Sequence, residues 1–163
     1  MSDPNAPVTQ ELADSVLTVT LNRPDLHNAM NPAIVAALTE IFNDLPGRDD
    51  VRAVVLTGRG RSFCAGADLK PDSDIFAYDY SRPNIPFADL LRTAEGCTLP
   101  LIARVNGHCY AGGMGLLAMC DMAVATSSAR FALPEVKIGL FPMQVAALLK
   151  TIIPPRKFAE MCI

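Results

Sequence analysis

Two short runs hold the residue types that could do chemistry. Phe63-Cys64-Ala65-Gly66-Ala67-Asp68 and Cys109-Tyr110-Ala111-Gly112-Gly113-Met114-Gly115 each place small residues where an extended run gives way to a helix-like one. Backbone N–H groups at such points are bare and open to a ligand oxygen. Two of them converging on one carbonyl oxygen would stabilise an oxyanion or an enolate. A third run, Leu133-Pro134-Glu135-Val136-Lys137-Ile138, offers a carboxylate to move the proton. Pro134 fixes the backbone before Glu135, and the apolar neighbours favour a raised pKa suited to acid or base work near neutrality.

Each run also has a plainer reading. The glycines suit close packing of helix on sheet, and Glu135 alone suits a solvated surface. Gly112-Gly113-Met114-Gly115 is not GxGxxG, and Gly58-Arg59-Gly60-Arg61-Ser62 lacks the Lys-Ser/Thr that closes a P-loop.

The elements that must position these runs follow from periodicity. Residues 15–21 alternate as a strand, and Asn22-Arg23-Pro24-Asp25 turns the chain. Asn31-Pro32 reads as an N-cap and first helical position, with Ile34, Val35, Leu38, Ile41, Phe42 and Leu45 on one face before Pro46-Gly47 stops the helix. Strands are expected at 51–57, 101–105, 122–126 and 130–133, and helices at 87–97, 112–120 and 142–152. Residues 68–86 read as a mobile loop or broken helix. The alternation argues for an α/β protein with crossover connections and a loose strand-strand-helix rhythm. Residues 156–163 look like the start of an amphipathic helix.

At 163 residues the chain is long enough for one domain with a core. Its net charge of −3 gives no reason to expect nucleic acid or an anionic membrane as partner, and no apolar run reaches the length that spans a bilayer. The N-terminus lacks the marks of a signal or transit peptide, so the cytoplasm is expected. Five cysteines without CxxC spacing and two histidines favour buried reduced thiols over metal ligands or disulfides.

Jointly the motifs are far more specific. Leu21-Asn22-Arg23-Pro24-Asp25-Leu26-His27-Asn28-Ala29-Met30, Ala53-Val54-Val55-Leu56-Thr57-Gly58, Phe63 to Lys70, Val105-Asn106-Gly107, Ala111-Gly112-Gly113, Cys120-Asp121 and Phe131-Ala132-Leu133-Pro134-Glu135 occur in one order. This series resembles the crotonase (enoyl-CoA hydratase/isomerase) family from about Ser15 to the last residue. The resemblance implies an α/β spiral of strand-strand-helix units over 15–163, preceded by a flexible tail over 1–14. It also implies C-terminal helices that build a homotrimer or dimer of trimers, which the chain is expected to lack.

The implied substrate is an acyl-CoA thioester, as in fatty acid metabolism; coenzyme A belongs to the substrate, with no separate cofactor and no metal. The resemblance puts the two oxyanion donors at Ala67 and Gly112, the latter opening a helix whose positive end would face the developing charge. Glu135 is the acid/base. Ala67, Asp68, Leu69 and Lys70 match the stretch that meets the adenine end of CoA, and Leu26 lies where pantetheine and phosphates are lined. Lys70, Arg59 and Arg61 are candidates for the phosphates, or ordinary surface charges.

Gly115 is the departure. The family's hydratases place a second glutamate there, and this chain offers no side chain. Asp72, Asp74 or Asp79 could replace it. His108 could relay a proton or simply pack, and Asp121 is expected to fix a turn. An enoyl-CoA hydratase-type lyase with one glutamate is the first expectation, since one positioned acid or base supplies about 10²–10⁴ in rate. An enoyl-CoA isomerase is the second. A non-catalytic acyl-CoA-binding protein or inactive fragment stands as the alternative of another class.

Overall fold

A computed structural model of the chain describes residues 3–70, 81 and 85–163. The expected loop at 68–86, with Asp72, Asp74 and Asp79, lies mostly outside the described residues.

Strand β2 (Val16–Leu21) buries Leu17, Val19 and Leu21 while its threonines stay half-buried, the period-two pattern of a strand with one face on the core. The flexible tail expected over 1–14 is corrected. Residues Val8–Ala13 form strand β1, antiparallel to β2 in the register Val8↔Leu21 to Ala13↔Val16. Asp14 and Ser15 join the two with φ of 50° and 61°, as a two-residue hairpin requires. The strand left no apolar alternation to read because it lies at a sheet edge with its last four residues exposed.

Helix α1 (Pro32–Asp44) starts as expected: Ile34 N donates to Asn31 Oδ1 at 3.0 Å, and Pro32 fills a position that needs no N–H partner. It buries Ile34, Val35, Leu38, Ile41 and Phe42.

Three strand-strand-helix turns follow: β3 (Ala53–Gly58), β4 (Ser62–Cys64) and α2 (Pro86–Glu95); β5 (Leu101–Val105), β6 (His108–Tyr110) and α3 (Gly112–Ala118); β7 (Met122–Ala125), β8 (Phe131–Ala132) and α4 (Met143–Ile152). The first strand of each turn joins a five-stranded sheet, β1-β2-β3-β5-β7. The second joins a three-stranded sheet, β4-β6-β8. From β2 onward every pairing is parallel, so successive turns stack in register as a spiral. Helix α5 (Pro155–Met161) closes the described chain.

Asparagines staple one turn of the spiral to the next. Asn106 accepts from Gly58 N at 3.1 Å and donates to the carbonyls of Gly60 and Ser62. The wholly buried Asn28 donates to the carbonyls of Arg59 and Ser62. Asp121, expected to fix its turn, instead ties the start of β7 to the start of β5, accepting from Leu101 N at 2.8 Å. Among the described residues no helix is long and apolar enough to cross a membrane.

Candidate active site

The three chemistry-bearing runs leave the C-terminal ends of the three strands of the smaller sheet. Ala67 lies three residues beyond β4, Gly112 two beyond β6 and Glu135 three beyond β8. In parallel α/β architecture that edge is where ligands bind. Sequence reading missed β4 and did not use β6 as a sheet member, so it assembled the runs without the device that aligns them. Both strands have only three residues, too short for periodicity to show.

The Ala67 donor is oriented by a partner that sequence did not reveal. Met30 N donates to Gly66 O and Met30 O accepts from Asp68 N, both at 2.7 Å, forming a parallel bridge opposite Ala67. Ala67 therefore has its own N–H and C=O aimed away from Met30. On the other side, Gly66 sits at φ 99°, and a Cβ there would come 2.6 Å from the Cβ of Ala111 and 3.4 Å from Gly112 N. The two loops thus meet through a glycine that no other residue could replace without displacing Ala111. Among the described residues no protein acceptor takes the N–H of Ala67 or of Gly112.

Ala111 itself carries φ 50° and ψ −124°, a conformation that costs an alanine about 1–3 kcal/mol. Its N–H donates to Ala132 O at 3.0 Å and its C=O accepts from Met114 N at 2.8 Å. These bonds hold the strained turn that presents Gly112.

Glu135 lies in the first turn of a 3-10 segment, Pro134–Ile138, directly after β8. Its Oε2 is buried without a hydrogen-bond partner, and burial pushes its pKa above the ordinary glutamate value. Such a carboxyl holds its proton more readily and is poised for acid–base exchange. Cys162, just beyond α5, has its thiol pushed up by burial and then by the charge of Glu135.

The space over Gly115 is occupied. A Cβ on Gly115 would meet Phe87 Cζ at 3.0 Å, Val145 Cγ2 at 3.2 Å and Phe87 Cε1 at 3.3 Å. The same end of the Phe87 ring lies 3.8 Å from a Cβ built on Gly112. The position where the resemblance implies a second glutamate is thus covered by apolar side chains from α2 and α4. Nothing in the sequence tied Phe87 to this position.

The other candidates divide. Asp68 is buried and pairs with Arg23, whose Nη2 donates to Asp68 Oδ2 at 2.9 Å while Nη1 donates to Ala29 O at 2.7 Å. The Asp68 carboxyl is held below its ordinary pKa by that guanidinium. Leu69 and Lys70 are exposed, and Leu26 is half-buried in a short 3-10 turn, Pro24–Leu26. Arg59 donates to Asn22 Oδ1 at 3.0 Å and, like Arg61, is exposed. Exposed on β6, His108 stacks on the half-buried Tyr110 with ring centroids 5.4 Å apart.

The five cysteines carry free thiols. Burial pushes Cys64 and Cys120 up to about 12 and raises Cys109 as well, so none of these three presents a thiolate nucleophile at neutral pH. Among the described residues no group of three or more His, Cys, Asp or Glu side chains could hold a metal ion.

A family model described as Enoyl-CoA hydratase/isomerase matches residues 11–163. The (E)-benzylidenesuccinyl-CoA hydratase of Thauera aromatica is 38% identical over 137 residues, covering 82% of this chain and 52% of the relative. The crystal structure of an enoyl-CoA hydratase from Mycobacterium smegmatis superposes with a TM-score of 0.85 at 36% identity, over 96% of this chain and 62% of that one. AtuE of Pseudomonas aeruginosa superposes with a TM-score of 0.87 at 34% identity, with the same coverage. The chain thus spans about half the length of this curated relative and 62% of the solved ones. With the strand-strand-helix spiral and most of its sequence matched, the chain belongs to the enoyl-CoA hydratase/isomerase (crotonase) family.

Proposed function

We propose that this chain carries the site of an acyl-CoA enzyme that works through a thioester enolate. The carbonyl oxygen accepts from the N–H groups of Ala67 and Gly112, and Glu135 moves the proton. One observation carries the reading: two N–H groups and one buried carboxylate oxygen, all without protein partners among the described residues, follow the C-terminal ends of neighbouring strands in one sheet. Each oxyanion donor of this kind is worth on the order of 3 kcal/mol in the transition state.

Hydration of a 2-enoyl-CoA is the first reading. Glu135 activates water for attack at Cβ, and the enolate then takes a proton at Cα. The reaction is slow, because a single carboxylate serves both steps. Enoyl-CoA isomerisation is the second reading, favoured by the apolar wall over Gly115, which leaves one carboxylate to shuttle one proton between two carbons. CoA runs along Leu26 and the backbone of residues 67–70, with Lys70, Arg59 and Arg61 available to its phosphates. Exposure of those basic side chains supports the last point. The working form is a homotrimer or dimer of trimers in the cytoplasm, where free thiols persist.

The test follows the absorbance of the conjugated thioester. Loss with 2-enoyl-CoA supports hydration, and gain with 3-enoyl-CoA supports isomerisation; either must disappear in Glu135→Gln. If neither signal changes while CoA esters still bind, the protein binds acyl-CoA without turning it over.

A further inference from the structure

We propose that Phe87 determines which acyl group the site admits. This deepens the acyl-CoA reading and rests on it. The distal end of the Phe87 ring covers the first turn of α3, spanning Gly112, the proposed oxyanion donor, and Gly115 one turn later. The gap over Gly115 is so narrow that even a methyl group there would force Phe87 or Val145 to move, since 3.0–3.3 Å is inside ordinary van der Waals contact. Buried Val145 backs the wall from α4, and the Met30 methyl lies against Gly112.

Two consequences follow for a substrate whose thioester carbonyl sits at Gly112. Toward α3, the side chains that meet the acyl chain among the described residues are the apolar Phe87, Val145 and Met30, which offer a water no hydrogen-bond partner. The residues beyond Cα are therefore confined. The site takes short apolar acyl groups and refuses bulky aryl groups or charged substituents on the β-carbon. The wall stands where a second carboxylate would otherwise reach, so one residue on α2 sets both the polarity and the depth of this side.

The test reads binding rather than turnover. The protein is titrated calorimetrically with two saturated esters, butanoyl-CoA and 3-phenylpropanoyl-CoA. Wild type is expected to prefer butanoyl-CoA. Phe87→Ala is expected to move the preference toward the phenyl ester by about tenfold or more, the scale on which apolar pockets discriminate. Phe87→Leu, which keeps most of the volume, should stay near wild type. Phe87→Val reads the same ratio if the alanine variant fails a circular dichroism check of folding. Binding of both esters with an unchanged ratio in the folded small-side-chain variant would overturn the role of Phe87 and leave the acyl-CoA reading standing. Binding of neither ester by wild type would overturn both.

Discussion

Burial sets the character of Glu135, the acid/base of the proposed reaction. Its neighbours strip water from one carboxylate oxygen and offer no donor in return, so ionisation is resisted. Glu135→Gln keeps the shape and removes the proton exchange. Turnover should fall by about 10²–10⁴ while affinity for CoA esters is retained, which single-turnover rates and calorimetry would separate. The same substitution should alter stability in the opposite sense. A carboxyl with a folded-state pKa above its unfolded value contributes stability at low pH and loses it as pH rises through the folded pKa. Glu135→Gln should therefore melt higher than wild type at neutral pH, with the gap closing below the ordinary glutamate pKa of 4.5. Melting curves across pH check this, and a glutamine variant less stable at neutral pH would show that Oε2 has a partner in solution.

At the scale of elements, the site is held by short pieces tied across the spiral, and the ties can be cut one at a time. Arg23 joins the loop before α1 to the Ala67 loop through Ala29 and Asp68. Both charges are largely shielded, so Arg23→Ala should cost about 2 kcal/mol, between a surface pair and a fully buried one. Asp68 is held below its ordinary pKa, so this stabilisation is present above that value and lost as pH falls through the folded one. The difference between variant and wild type should accordingly shrink in acid, as urea titrations at two pH values would show. Asn31→Ala removes the cap of α1 and should cost about 1 kcal/mol at either pH, a control without titration.

This division explains what was legible beforehand. α1 was legible because cap, proline and apolar stripe agree. Gly112 and Glu135 were singled out through an ordered series of motifs. β1 was hidden by its exposed edge, and β4 by its three-residue length. Met30 and Phe87 act on the site through contacts that span 37 and 28 residues (67 − 30 and 115 − 87), respectively, and no local pattern encodes such contacts.

At the scale of the molecule, apolar surface is not spread evenly. β7 is an edge of the five-stranded sheet, so one side of its backbone has no strand partner among the described residues, and all four of its residues are exposed, Met122 at 53% and Val124 at 67%. Phe131, Leu140, Phe141 and Met143 add exposed side chains further along the chain. An unpaired edge beside solvent-facing apolar groups is a template for association. The 163-residue chain is therefore expected to scatter light above its 17.5 kDa monomer mass, increasingly so with concentration. Val124→Glu should weaken that association by about tenfold, because burying one valine is worth roughly 1.5 kcal/mol and a charge on an edge strand opposes pairing. The substitution lies outside the core, so the melting temperature of the dilute protein should not move. A monodisperse monomer at every concentration would show that β7 tolerates solvent, whereas association unaffected by Val124→Glu would move the contact to the surface that Phe141 and Met143 expose.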